Sequence, residues 1–292
     1  MSCIKGLAYA SIALLCLNAQ TAVASHHKYH HKATSFKDAS FKDEGALVAQ
    51  PMGQFYIGVF GGGGSTNNVS VAQTGTALYA PAAGGPLAVN ATGNGNASNG
   101  YAGFRVGYQW TGWSMDPSGW RFSPGLEFEN YYLFSSTLNA SGLNNPTTRL
   151  PEHNFNDSFP MDTTVLMANA MFNFKSPWIV TPFLGLGVGA AGMGIHGANS
   201  AQISPAEPGI NHFNSGKDAS SWVFAAQLKT GLSFELMKNL SLSAEYRLLY
   251  EASTGVTFGS TQYPTHVPTT NWNVHFGRQL YNMGDIGLTY AI

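Results

Sequence analysis

The stretch GDIGLTYAI, Gly284 to Ile292, decides how this chain is to be read. Ile286, Leu288, Tyr290 and Ile292 alternate strictly with Asp285, Gly287, Thr289 and Ala291. Such a period of two puts the apolar set on one face of a β-strand and the small or polar set on the other. Chain ends usually gain little from burial and are polar, yet this apolar face runs to the last residue. Lipid is the covering that such a face implies.

The same alternation recurs upstream. Ala102, Phe104, Val106, Tyr108 and Trp110 oppose Gly103, Arg105, Gly107 and Gln109. Phe122, Pro124, Leu126, Phe128, Tyr132 and Phe134 oppose Arg121, Ser123, Glu127 and Glu129. Leu184, Leu186 and Val188 oppose three glycines, and Leu242, Ala244, Tyr246 and Leu248 oppose Ser243, Glu245 and Arg247. With comparable runs at 53–60, 163–174, 223–235 and 278–292, eight strands are expected. The connections between them run long (61–100), short (111–119), long (135–160), short (175–178), long (191–221), short (236–239) and long (251–276). Strict alternation of loop length is expected of an antiparallel membrane barrel, with extended outer loops and tight periplasmic turns. A soluble β-sandwich has no reason to sort its loops this way and would place charge on its outer faces. Here one face of nearly every strand is uncharged.

The composition agrees. Only 10% of the 292 residues are charged, the formal net charge is −1, and glycine (34), tyrosine (13) and phenylalanine (18) are abundant. A near-neutral chain offers no electrostatic footprint for nucleic acid. Lys5, the apolar run Gly6 to Leu17 and Ala22-Val23-Ala24 read as a secretory signal over 1–24. Both cysteines, Cys3 and Cys16, fall inside it, so the mature chain is expected to lack disulfides. Residues 25–51 read as a flexible, His-rich periplasmic lead-in, and 52–292 as the barrel. From Gly45 to Phe104 no Asp, Glu, Lys, Arg or His occurs. The Gly/Asn-rich part, 61–100, is expected to be a long uncharged loop that either raises the first hairpin above the membrane or hides a further strand pair. Trp110, Trp113, Trp120 and Trp178 at short-turn ends, and Tyr101, Tyr131, Tyr132 and Tyr250 near long-loop ends, are expected to form interfacial girdles.

The PFLGLGVG strand at 182–189, LSLSAEYRLLY at 240–250 and the closing GDIGLTYAI resemble small outer-membrane β-barrel proteins of the OmpA/OmpX-type and opacity-like surface-antigen group. The resemblance covers roughly 52–292, by pattern more than identity. It implies an all-β, eight-stranded antiparallel up-and-down barrel in a Gram-negative outer membrane, among outer-membrane lipid and lipopolysaccharide. It does not imply one activity, because such proteins include adhesins, serum-resistance factors and structural proteins; the role expected here is of the surface-antigen type, envelope-structural or adhesive, with host-surface molecules as partners of the outer loops. Asp285-x-Gly287-x-x-Tyr290-x-Ile292 matches the pattern the family's last strand presents to the barrel assembly machinery, except that Ile292 replaces the usual phenylalanine. No separate domain is expected after the barrel.

An eight-stranded lumen is just wide enough for its own side chains. The inward face is expected to hold Arg105, Glu127, Glu129, Lys229, Glu245, Arg247 and Asp285, which must pair because unpaired charge is costly there. A salt-bridge plug follows, with a narrow porin-like channel as the alternative. Gly187-Val-Gly189-Ala-Ala-Gly192 matches a dinucleotide fingerprint, but no helix pattern follows, and the next acid, Glu207, sits between two prolines. Small inward glycines explain it.

A barrel enzyme acting on lipid or peptide is the rival class, yet no His-x-Ser pair or G-x-S-x-G occurs to support an activated serine. His153, His196, His212, His266 and His275 fall in long loops and could gather with Glu152 or Asp157 at the barrel mouth. No residue is assigned as catalytic, cofactor-binding or metal-ligating on this basis, and no cofactor is expected. If cleavage follows Ala24, Ser25-His26-His27 would begin the mature chain. Its amine, amides and third-residue imidazole suit square-planar Cu(II) or Ni(II), with His30 and His31 as further ligands.

Overall fold

The computed structural model describes residues 53–115, 117–147, 149–150 and 152–292. The expected signal sequence over 1–24, the expected lead-in over 25–51, both cysteines and the N-terminal histidines lie outside the described residues. Eight antiparallel strands form the ring: β1 Gly53–Ala77, β2 Leu87–Trp110, β3 Arg121–Asn144, β4 Asn154–Lys175, β5 Val180–Ile195, β6 Ala219–Met237, β7 Leu240–Glu251 and β8 Gln279–Ala291. Each pairs with its sequence neighbours. β8 then pairs with β1, from Tyr56↔Ala291 to Thr66↔Tyr281. The Ile292 amide donates to the Phe55 carbonyl at 2.8 Å, so the stretch that ends the chain completes the closure. A closed sheet leaves no unpaired edge in hydrocarbon. Among the described residues, no helix is long and apolar enough to cross a membrane.

The lower belt behaves as the alternation requires. Phe55, Ile57, Val59, Leu126, Phe128, Leu186, Val188, Ile286 and Leu288 are all exposed on the outer surface. On β3 this apolar face runs from Phe122 to Phe134. Roughly 13 residues at about 3.3 Å each, tilted near 40°, rise about 30 Å, which matches a bilayer core.

The strands do not stop there. β1 has 25 residues, β2 and β3 have 24 each and β4 has 22, against about 9–11 needed to span. Residues 61–77 and 87–100, expected as loop, are strand and stay in register up to Ala77↔Leu87, with one bulge between Thr66 and Val69. The first of the two alternatives for this segment therefore holds: the hairpin rises above the membrane. Asn199–Ser204 adds to β4, and the pair Thr254–Phe258 and Trp272–Phe276 adds to β1, with Val71↔Phe276 in register.

In this extension the faces invert. Ser70, Thr74, Asn90, Thr92, Asn94 and Asn96 point outward, while Val69, Val71, Val89 and Ala91 are buried inside. The reason is the change of solvent. Beside lipid the outer face must be apolar, whereas above the membrane it meets water and the apolar residues turn inward to be buried. Phe155, Phe159, Phe213, Phe258, Trp272 and Phe276 fill this upper interior. Below it lies a second layer around Phe60, Tyr101, Tyr131, Leu133, Met167 and Tyr281.

Tyr101 and Tyr131 correct the girdle expectation. Both are 1% exposed and face the lumen, where they donate to Asp285 Oδ2 at 2.7 Å and Gln227 Oε1 at 3.0 Å. Trp110, Trp113 and Trp178 are exposed at the short-turn end, as an interfacial belt requires, and Tyr132 is exposed on the outer surface higher up.

Candidate functional site

Two constellations lie inside the barrel and at its outer end. The lower one is built from inward strand positions two residues apart. Arg105 comes from β2, Glu127 and Glu129 from β3, Lys229 from β6, Glu245 and Arg247 from β7, and Asp285 from β8. All seven are buried. Arg105 Nη1 lies 2.5 Å from Glu245 Oε1. Lys229 Nζ meets Glu127, and Glu129 Oε1 at 2.8 Å. Arg247 reaches three carboxylates: Glu129 Oε2 at 2.8 Å, Glu245 Oε2 at 3.1 Å and Asp285 Oδ2 at 2.7 Å. Asn169 and Gln227 donate further to Glu129, at 3.0 and 2.6 Å. The Arg247 guanidinium also stands 4.2 Å over the Phe60 ring, tying the network to the layer above.

This is the salt-bridge plug expected from the sequence. A recess of about 320 Å³ opens from the short-turn end past Gln54, Tyr56 and Ser243, and Arg105, Glu127 and Glu245 line its inner part. The glycines of β5 make room for the plug. A Cβ at Gly185 would stand 2.8 Å from both Lys229 Cγ and Met171 Sδ. Gly187 to Gly192 lies within β5 and pairs with β4 and β6 on either side, so those glycines belong to a strand and not to a phosphate loop.

At the outer end, three of the five candidate histidines gather. His153 precedes β4, His212 precedes β6, and His266 lies between Thr254–Phe258 and Trp272–Phe276. His153 Nδ1 meets the Asn145 amide at 3.2 Å, and its Nε2 donates to Gln202 Oε1 at 2.8 Å. Burial lowers its pKa, which favours this neutral ring. His212 is buried against Phe155 and Trp272, with ring centroids at 5.2 and 5.8 Å. Its Nδ1 donates to the Ser200 carbonyl at 3.1 Å. His266 Nδ1 donates to the Val267 carbonyl at 2.6 Å.

Both Nε2 atoms point at one oxygen, Glu207 Oε2, from 3.3 Å (His212) and 3.1 Å (His266). Burial acts to raise the Glu207 pKa, but the two facing rings hold it below the usual carboxylate value. His196 stays apart on the surface, 3.5 Å from Asp162, and His275 is also outside the group. Glu152 accepts from Ser204 Oγ at 2.7 Å, and Asp157 is buried in the wall between β4 and Asn199–Ser204. Neither acid joins the cluster. Its acid is Glu207, which the sequence shows only as an isolated acid between two prolines. Among the described residues, no hydroxyl is hydrogen-bonded to the rings of His153, His212 or His266.

No family model matches the chain, and no curated protein matches it. Several solved structures do. The outer membrane protease OmpT from Escherichia coli aligns with 80% of this chain and 97% of its own, at 6% identity and a TM-score of 0.38. The outer membrane protein OprG from Pseudomonas aeruginosa covers 81% and 96%, at 12% identity and a TM-score of 0.35. Neisserial surface protein A covers 81% and 96%, at 13% identity and a TM-score of 0.29. The architecture itself is read from the hydrogen-bonded ring. Eight antiparallel strands close on themselves around a plugged lumen, with an apolar belt facing outward, which is the architecture of a small membrane-spanning β-barrel.

Proposed function

We propose that this barrel works at the cell surface as a surface-antigen-type protein, contributing to envelope structure or to adhesion and host contact, and that it is neither a conduit nor an enzyme. The observation that carries this reading is the outer extension. Four strands of 22 to 25 residues rise beyond the apolar belt and are packed around an aromatic core, presenting Ser, Thr and Asn outward. An ordered, water-facing stalk of this kind holds its outer connections clear of the membrane, where they can meet host-surface molecules. A conduit would need a hydrated path, and the charged plug with two hydrophobic layers above it fills the lumen.

Lipid and lipopolysaccharide would contact the outer belt. The assembly machinery would read β8, whose Tyr290 and Ile292 face outward while Asp285 is buried in the plug. A deletion strain compared with wild type for host-cell binding, serum survival and envelope leakage tests the role. Unitary conductance steps in planar bilayers, or turnover of lipid A, phospholipid or peptide by the purified protein, would overturn it.

A further inference from the structure

We infer that Glu207, His212 and His266 form a binding site for a divalent transition metal of the zinc class at the outer end of the barrel. The case starts from the imidazole orientation. A ring nitrogen facing a carbonyl oxygen must carry its proton, so Nδ1 of His212 donates to Ser200 and Nδ1 of His266 to Val267. Metal-bound histidines are held in this way, the far nitrogen donating to a backbone carbonyl and fixing both tautomer and ring plane. With each Nδ1 proton committed, both Nε2 atoms converge on Glu207 Oε2, where each carries either a second proton donated to the carboxylate or a lone pair for a metal ion that takes the protons' place.

The distances suit that cation. Two zinc–ligand bonds of about 2.0–2.1 Å at a tetrahedral angle hold their donor atoms about 3.3 Å apart. The two histidine–carboxylate separations here are 3.3 and 3.1 Å, and all three donor atoms lie within 4.8 Å of one another. The remaining histidine–histidine edge is no longer than 4.8 Å, and His266, the more exposed ring, is the one with room to adjust. The donor set of two imidazoles and one carboxylate suits Zn²⁺ and its borderline neighbours better than Ca²⁺ or Mg²⁺, which prefer all-oxygen shells. Glu207 and His266 are part-exposed, which gives the ion a way in and leaves a coordination position for water. His212 is buried on its aromatic floor and gives the site a rigid side. The bound ion would tie the connection before β6 to the connection before Trp272–Phe276, stapling two outer segments far apart in sequence.

The test uses full-length protein in which His26, His27, His30 and His31 are each replaced by alanine, so that the lead-in cannot compete. The protein is refolded in detergent, stripped with EDTA and titrated with Zn²⁺ against a chromophoric chelator, and separately with Co²⁺ while visible absorption is followed. One equivalent of Zn²⁺ should bind, and Co²⁺ should show the intensified d–d bands of four-coordinate geometry. Glu207→Gln and His266→Ala should each weaken Zn²⁺ binding at least tenfold, whereas His196→Ala should leave it unchanged. Heat-modifiable mobility on gels reports the folded barrel; if one variant loses it, the other decides. Failure to bind one equivalent, or a loss below tenfold in a folded variant, overturns the site.

Discussion

Replacing Arg247 by methionine probes what holds the barrel interior together. Arg247 contacts Glu129, Glu245 and Asp285 at 2.7 to 3.1 Å, and these are three of the plug's four carboxylates. At an effective dielectric of about 20, a unit-charge contact at 2.8 Å amounts to about 6 kcal/mol. Desolvation of the guanidinium offsets much of this, so the wild-type network is worth far less than the sum of its contacts. The substitution leaves Arg105 and Lys229 alone against four buried carboxylates. Removing one partner of a buried charge network costs about 3–5 kcal/mol, because the stranded charges have no water to return to. The loss should appear as an earlier midpoint in urea unfolding of the detergent-folded protein, followed by tryptophan fluorescence and gel mobility. In Arg247→Met/Glu129→Gln the loss should fall short of the sum of the single losses by about 1–3 kcal/mol, the coupling expected of groups in one network. Bilayer conductance should stay absent in both, because the aromatic layers above the plug are untouched. A cost below about 1 kcal/mol for Arg247→Met would show that the network does not support the barrel.

Three further outcomes are expected. Burial pushes the Asp157 carboxyl up from 3.8 to about 7, so its proton is held in the folded state after the unfolded chain has released it. Its contribution is therefore fully present below about pH 4 and lost as pH rises to 7, on the order of 4 kcal/mol in all; Asp157→Asn should flatten that slope in urea midpoints measured across this range. Phe155→Ala, in the upper core, should cost about 3–5 kcal/mol and expose the outer extension to protease while the membrane belt keeps its gel mobility. Deleting Tyr290 to Ile292 removes the pairing of β8 with Tyr56 and Ile57 and should abolish outer-membrane assembly; normal levels of the truncated protein there would refute the role given to the last strand.

The membrane part of this protein is legible in the sequence because its rules are local. Lipid on one side and a narrow lumen on the other impose opposite demands on successive residues. Ile286 and Leu288 therefore alternate with Asp285 and Gly287, and the strand, its faces and its plug charges follow without knowledge of any partner. The outer extension obeys the same period with weaker contrast. Val69, Val71, Val89 and Ala91 are small apolar residues set among Gly, Asn, Ser and Thr, a composition shared with loops. Only register with the neighbouring strands shows them to be a wall, since a polar outward face needs a packed interior to give it direction. Tyr101 and Tyr131 were misplaced for a related reason: position near a strand end suggested the interface, while parity along the strand sends them inward to Asp285 and Gln227.

The histidine cluster was out of reach altogether. Glu207 and His212 lie in one outer connection and His266 in another, with no periodicity to relate them. Their meeting depends on the closed ring, which brings the connection before β6 against the one before Trp272–Phe276. Period and solvent determined the barrel in the sequence; only closure of the sheet, which makes neighbours of segments far apart along the chain, decided what assembles on top of it.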